Sequence, residues 1–313
     1  MPIIHLSKKD LISILDLSRE EIESILNVSD MIRHKHKNRE MFFPLLGKSL
    51  GMIFTKSSTR TRVSFEIGMF QLGGAALYLN PADTQIGRGE TIADTARVLS
   101  RYVDGIMIRT YKHSDVLELG QYASVPVING LTDDEHPCQI IADLLTIKDK
   151  KKTLKGLKVA YIGDGNNVCN SWLYAAPKAD MHIAVASPKG YMPAKNVVDK
   201  AKELALAGKT QVMVTESPEE AVKDADVIYT DVWASMGQEA ESEKRKKEFA
   251  RYQVNTELLK KAKKDCMVMH CLPAHRGEEI SAEVMDGPQS VVFDQAENRL
   301  HAQKAILSLL MGK

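Results

Sequence analysis

The feature that most constrains this chain is a regular alternation of short apolar runs with longer amphipathic stretches. "GMIF" (51–54), "AALYL" (75–79), "GIMI" (105–108) and "VPVI" (125–128) are rich in β-branched and large apolar residues and too short for buried helices. They read as strands. Between them, residues 60–72, 90–103 and 113–122 carry helical spacing, with Val63, Ile67 and Phe70 recurring at i, i+4 and i+7. Strands alternating with helices predict a parallel sheet with right-handed crossovers.

The pattern runs twice. "HPCQIIADLLTIKD" (136–149) predicts a helix with Pro137 in its first turn, where a missing N–H costs nothing. The basic stretch "KKKTLKG" follows, and then come "LKVAYIGDG", "IAVAS", "QVMVT", "DVIYTD", "CMVMH" and "SVVFD", all read as strands. At 313 residues the chain fits two domains of about 150 each. We place them at 1–149 and 150–293, with a helix over 294–313 returning to pack on the first. The predicted fold is α/β: two tandem parallel-sheet domains with an interdomain active-site cleft. Ligands of such sheets sit outside the carboxyl ends of the strands, so chemistry is sought in the loops that follow strands.

Composition narrows the function. Basic residues number 42 and acidic residues 41, a balance that points away from nucleic-acid and membrane-surface binding. Any anion site must then be a local constellation. "MPIIHLSKKDLISILDL" has neither the basic-then-apolar order of a secretory signal nor the Arg- and Ser-rich character of a transit peptide. Cys138, Cys169, Cys266 and Cys271 match no disulfide framework or zinc-knuckle spacing. These features predict a cytoplasmic protein with reduced thiols.

The densest constellation is "FTKSSTRTRVSFE" (54–66), at a strand-to-helix turn. A helix N-terminus offers unbonded N–H groups and a partial positive charge. Ser58, Thr59 and Thr61 add hydroxyls, and the Arg60 fork matches phosphate oxygens. One Ser or Thr there would read as an N-cap; the cluster reads as an anion site. No Walker A loop is present, and "GDGNNV" supplies Gly163 and Gly165 but has Val168 where a dinucleotide fingerprint needs its third glycine.

Other polar groups fall just past predicted strands. "IMIRTY" places Arg109 at a strand end, "DVWASMGQE" supplies Asp231, Ser235 and Gly237, and "MHCLPAHRGEE" supplies Cys271, with Leu272 before a proline able to be cis. His136 and Gln139 share one face at a helix start. Each has a plainer reading: His136 as a packed or capping group, Asp231 as a helix cap, Cys271 as an inert thiol. Zinc on His270, Cys271 and His275 is disfavoured because adjacent strand residues point oppositely. The charge run "EAESEKRKKEF", with Glu241–Arg245 and Glu243–Lys247 at i, i+4, reads as a solvated helix face.

"SSTRTR", "HPCQ", "DVWASMG" and "HCLPAHRGEEI", in that order, closely resemble the motifs of ornithine carbamoyltransferases. The resemblance extends through "QIGRGETIADTARVLSRY" and "DQAENRLHAQKAIL" and covers essentially the whole chain. The first two motifs are shared with aspartate carbamoyltransferases; "DxWxSMG" and "HCLP" point to ornithine. The resemblance implies a carbamoyl-phosphate domain followed by an ornithine domain, in a homotrimer with shared active sites. It also implies a reaction of carbamoyl phosphate with L-ornithine giving L-citrulline and phosphate, with no metal or organic cofactor.

By this resemblance Ser58, Thr59, Arg60, Thr61 and Arg109 hold the phosphate, and Thr61, Arg109 and His136 polarise the carbonyl oxygen. Gln139, Arg299 and the carbonyls of Cys271 and Leu272 orient the carbamoyl amino group, joined by Gln85 from a neighbouring subunit. Asn167, Asp231, Ser235 and Met236 hold the amino-acid end of ornithine, with Asp231 and Cys271 near its δ-amine. That amine must lose a proton held at a pKa of about 10.4 before it attacks, while negative charge grows on the carbonyl oxygen and the leaving phosphate. The rival acceptors are putrescine and an acylated ornithine. From other classes, the rivals are a non-catalytic binding protein and a nicotinamide dehydrogenase.

Overall fold

The computed structural model describes residues 6–83, 85–234 and 241–312. The first run of elements is α1 (Arg19–Lys37), β1 (Ser49–Phe54), α2 (Thr59–Gln71), β2 (Ala75–Leu79), α3 (Ile92–Leu99), β3 (Gly105–Arg109), α4 (His113–Tyr122), β4 (Val127–Leu131) and α5 (Pro137–Lys151). The second is β5 (Lys158–Ile162), α6 (Asn167–Lys178), β6 (His182–Ala186), α7 (Lys195–Gly208), β7 (Val212–Thr215), α8 (Pro218–Val222) and β8 (Val227–Thr230). It continues with α9 (Ser242–Phe249), α10 (Thr256–Leu259), β9 (Met267–His270), α11 (Ala282–Met285) and α12 (Val292–Met311). Two compact units result, Met1–Leu145 with Glu297–Lys313, and Thr146–Ala296.

In the first unit four parallel strands lie in the order β2-β1-β3-β4. Ile53, Ile106, Ile108 and Val127 on these strands pack with Ala96 of α3 and with Val116 and Leu119 of α4. The helix α1 starts at a capping box, Ser18 with Glu21, and buries Ile22, Ile25, Leu26 and Ile32. Each such side chain contributes roughly 1.5–3 kcal/mol when fully buried. The helix α12 returns to this unit: Leu300, Lys304 and Leu307 lie against Gly68 of α2, and Met311 lies against Gly105 at the start of β3.

The second unit is a five-stranded parallel sheet ordered β7-β6-β5-β8-β9. Its core joins Ala160, Ile162, Ala184, Ile228 and Val268 with Trp233, Phe249 and Tyr252. Among the described residues no helix is long and apolar enough to cross a membrane.

Two expectations are corrected. "SVVFD" is not a strand: Ser290 makes an isolated bridge to Val268, and α12 already begins at Val292. A short β-branched run cannot be told from a helix start by periodicity alone. "VPVI" is shifted, because Pro126 lacks an N–H and β4 begins after it, at Val127. The helix expected over 60–72 forms as α2, and its Val63, Ile67 and Phe70 stripe faces outward, at 50%, 40% and 75% exposure. The inward face carries Phe65 and Met69 with the small residues Ser64 and Gly68, and a Cβ added at Gly68 would meet Lys304 Cγ of α12 at 3.4 Å.

Candidate active site

In the first sheet the strand order reverses between β1 and β3, and such a switch point opens a crevice at the carboxyl ends. Phe54 and Arg109, the last residues of those strands, are register partners. Thr55 N–H donates to the Arg109 carbonyl at 2.9 Å, fixing the loop that follows β1. Beyond Ile108 the register slips by one residue, so Arg109 pairs with Leu131 and Gly130 is skipped. A bulge of this kind re-aims a side chain at a strand end.

Ser58 caps α2, accepting from Thr61 N–H at 3.1 Å, so its plain capping role is real and leaves its own O–H as a donor. Thr61, Arg109, Gln139 and Arg299 are all buried and directly joined. Arg299 donates to Gln139 Oε1 at 2.6 Å and to Thr61 Oγ1 at 3.2 Å. Arg109 also donates to Thr61 Oγ1, at 3.4 Å, and Gln139 donates onward to Asp143 at 2.8 Å. His136 is buried beside them. Burial, and then the charges of Arg299, Arg109 and Arg60, hold its pKa well below the ordinary histidine value. The imidazole is therefore neutral at physiological pH, a hydrogen-bonding group rather than a cation. The Cys138 thiol, pushed up to about 12 by burial, is inert.

Two residues that sequence reasoning passed over shape this cluster. Lys56 is buried, donates to Asp133 at 2.5 Å, and lies 4.3 Å from the centre of the Tyr111 ring. It thereby ties the loop after β1 to the turn before α5. Glu135 is buried and accepts from Ser13 Oγ and from Ile14 N–H, anchoring the residue next to His136. Lys56 stood inside the quoted stretch; Glu135 carried no signal beyond its neighbour. Gln85 is exposed on the 3-10 turn Gln85–Arg88 and is not bonded into the cluster.

The second sheet reverses between β5 and β8. Register pairs Ile162 with Thr230 and Thr230 with His270, so the loops after β5, β8 and β9 start side by side. Asp231 and Cys271 are the first residues past β8 and β9, and Cys271 Sγ donates to Asp231 Oδ1 at 2.9 Å. Asn166 donates to Asp231 Oδ2 at 2.8 Å, and Asn167 begins α6 alongside. The Leu272–Pro273 bond is cis and Leu272 has a positive φ of 60°. Leu272 N–H donates to His270 Nδ1 at 2.8 Å, leaving Nε2 to donate to Glu279 at 3.0 Å. Ser235, Met236 and Gly237 lie outside the described residues.

The solvated-face reading of "EAESEKRKKEF" fails at Arg245. This residue is buried, and its Nη1 donates to Asp164 and to the Trp233 carbonyl, both at 2.7 Å. One side chain from α9 thus spans the loops after β5 and β8. The i, i+4 spacing to Glu241 is real, at 3.2 Å, but it is the lesser contact. The G-x-G of "GDGNNV" also has a structural use. A Cβ on Gly165 would meet Pro193 N at 2.3 Å, so the glycine admits a neighbouring loop where a dinucleotide would need open space.

Asp231, His270 and Cys271 do bring ligand atoms within 4.8 Å of one another, because Cys271 lies past the strand end where alternation no longer applies. Those atoms are already engaged, Cys271 with Asp231 and both His270 nitrogens with Leu272 and Glu279.

The site thus comprises a cationic, hydrogen-bonded cradle at the switch point of one α/β unit and a carboxylate–thiol pair at the switch point of the other. The family model described as aspartate/ornithine carbamoyltransferase, carbamoyl-P binding domain, matches residues 9–149, and its Asp/Orn binding domain counterpart matches residues 155–310. The chain belongs to the aspartate/ornithine carbamoyltransferase family. It is 59% identical to an ornithine carbamoyltransferase of Anoxybacillus flavithermus over 98% of each chain. It is 60% identical to that of Carboxydothermus hydrogenoformans, over 97% of this chain and 98% of the relative. The solved structure of the Pyrococcus furiosus ornithine carbamoyltransferase superposes with a TM-score of 0.96 at 57% identity, covering 99% of each chain.

Proposed function

We infer that this protein transfers the carbamoyl group of carbamoyl phosphate to the δ-amine of L-ornithine, giving L-citrulline and phosphate. The observation that carries the reading is the Thr61–Arg109–Arg299–Gln139 cluster beside a neutral His136, a donor set suited to an anion bearing a carbonyl. The names of the relatives support ornithine as acceptor over putrescine or an acylated ornithine.

In this reading Ser58, Thr59, Arg60, Thr61 and Arg109 hold the phosphate. The carbonyl oxygen is met by Thr61, Arg109 and His136, and the carbamoyl amino group by Gln139, Arg299, the carbonyls of Cys271 and Leu272, and Gln85 of a neighbouring copy. Asn167, Asp231, Ser235 and Met236 hold ornithine, with Asp231 and Cys271 at the reacting amine. The amine attacks the carbonyl as a neutral nucleophile, and charge develops on the carbonyl oxygen and then on phosphate. Fixed guanidinium and imidazole donors stabilise that charge, each by about 3–4 kcal/mol. His136 suits the task because, being neutral, it adds no further positive charge to a pocket already holding three arginines.

The working form we propose is a cytoplasmic homotrimer. Its support is the outward apolar face of α2 with Leu77 of the edge strand β2 at 57% exposure, a patch of the kind that marks an interface. The four cysteines are free, as a reducing compartment keeps them.

A citrulline assay with carbamoyl phosphate and a panel of ornithine, putrescine, N-acetylornithine and aspartate tests the reading. Ornithine is expected to be the preferred acceptor. Preference for putrescine or aspartate overturns it, as does NAD binding by calorimetry with no citrulline formed.

A further inference from the structure

We propose that Asn166 is a positioning residue for the transfer reaction: it selects which lone pair of Asp231 faces the ornithine amine. The proposal rests on the reading of function above and concerns a side chain distinct from Asn167, its neighbour in the ornithine site.

Three donors converge on Asn166 Oδ1: the Tyr161 hydroxyl at 3.0 Å, Val168 N–H at 3.0 Å and Cys169 N–H at 3.1 Å. Two of these are the free amides of the α6 N-terminus, so Asn166 is the helix cap. With its oxygen surrounded by donors, the amide has one chemically consistent orientation, and its nitrogen must point the other way. There it meets Asp231 Oδ2 at 2.8 Å. The opposite oxygen, Oδ1, accepts from Cys271 Sγ at 2.9 Å and from Val232 N–H at 2.8 Å.

A carboxylate offers about four lone-pair sites. Among the described residues two on Oδ1 and one on Oδ2 are filled, so the remaining acceptor position lies on the oxygen that Asn166 holds. Rotation of the carboxylate would break all three bonds together. Asn166 is itself immobilised by the helix it caps and by Tyr161, a fully buried ring stacked on Tyr229 at 5.8 Å. Rigidity thus passes from the sheet core through Tyr161 and the helix start to the group that meets the amine, as a preorganised site requires.

The capping and positioning roles separate cleanly by substitution. Serine and aspartate cap helices about as well as asparagine. Neither carries the amide N–H: serine is too short to reach Asp231, and aspartate sets a second carboxylate against it. We expect Asn166→Ser to melt close to the parent and to keep its carbamoyl-phosphate Kd, while kcat at saturating substrates falls by about 10–50-fold. Asn166→Asp should lose at least as much. A serine variant within roughly threefold of the parent kcat overturns the proposal, because a cap alone would be preserved. If the serine variant does not fold, the aspartate variant is judged by the same criterion; failure of both to fold makes Asn166 purely structural and overturns it equally. The parent is the control. Without citrulline formation by the parent the reading of function fails, and with it only the role of Asn166 is at issue.

Discussion

Arg299 donates to the Thr61 hydroxyl oxygen at 3.2 Å across 238 residues of sequence, and so makes Thr61 an acceptor from a guanidinium. Arg109 approaches the same oxygen at 3.4 Å. A hydroxyl that accepts twice from cations has its proton left to donate, which suits it to a developing oxyanion. Thr61→Val keeps the shape and removes the oxygen. We expect kcat to fall by about 10²-fold, with a stability loss of about 1–3 kcal/mol from the donors left unmatched. Steady-state kinetics together with urea unfolding measure both.

In the proposed reading Arg60 separates phosphate binding from folding. It is half-buried in the first turn of α2, and its charge contributes to keeping His136 neutral. Arg60→Gly should abolish turnover and leave the thermal midpoint within a few degrees, since glycine early in a capped helix costs about 1 kcal/mol or less. Near-normal activity at saturating carbamoyl phosphate would remove the phosphate assignment.

His136 gives a pH dependence of fixed sign. Its folded pKa lies well below the unfolded value of about 6.5, so below that value the unfolded chain binds the extra proton. The stabilisation is complete above about pH 6.5 and is lost as the pH falls from there toward the folded pKa. His136→Gln should flatten the decline in unfolding free energy between about pH 6.5 and 5, compared with the parent. Parallel denaturant titrations at several pH values measure the difference. Two curves of equal slope would show that His136 titrates as freely folded as unfolded.

How far the sequence could be read is clear from particular residues. The strands of both sheets stood out as short continuous apolar runs, the form that strands of a parallel sheet favour, and eight of the nine lie where those runs fall, only "VPVI" giving way to a later start at Val127. Motif residues just past strands followed from the same reasoning. What was hidden depended on register and on partners distant in sequence. The Thr230–His270 pairing that seats Cys271 beside Asp231 leaves no local trace. Arg245 looks like any lysine of its run until Asp164, 81 residues away, is brought to it. The α2 stripe was visible as periodic, but periodicity does not say whether an apolar face meets the core of its own chain or another surface.

Arg245 should behave as a structural clasp of the second unit. Its guanidinium holds Asp164 and the Trp233 carbonyl and lies 4.8 Å from the Tyr191 ring. Burial already raises the Asp164 pKa against the effect of that guanidinium, so removing the partner leaves a poorly solvated carboxyl. We expect Arg245→Ala to cost about 3–5 kcal/mol of stability and to raise the KM for ornithine, with carbamoyl-phosphate binding unchanged. Arg245→Lys should restore little, because an ammonium cannot bridge two acceptors in a planar fork. Equal effects on both substrates would refute a role confined to the second unit.

The outward face of α2 supplies the last test. Phe70 at 75% exposure and Ile67 at 40% project from the same helix that carries Thr61 on its buried side, so a partner covering this face would also stiffen the proposed phosphate site. Exposed apolar area of this kind is costly for a lone chain and is relieved by association. Phe70→Asp combined with Ile67→Lys places charges where an apolar partner surface would sit. Neither side chain lies in the core, so the chain should fold; sedimentation should change from the proposed trimer to a monomer. Turnover should drop by about 10-fold or more, because in the proposed trimer Gln85 would then have no neighbouring site to complete. A parent that sediments as a monomer while forming citrulline at full rate would exclude both the interface and the shared role of Gln85.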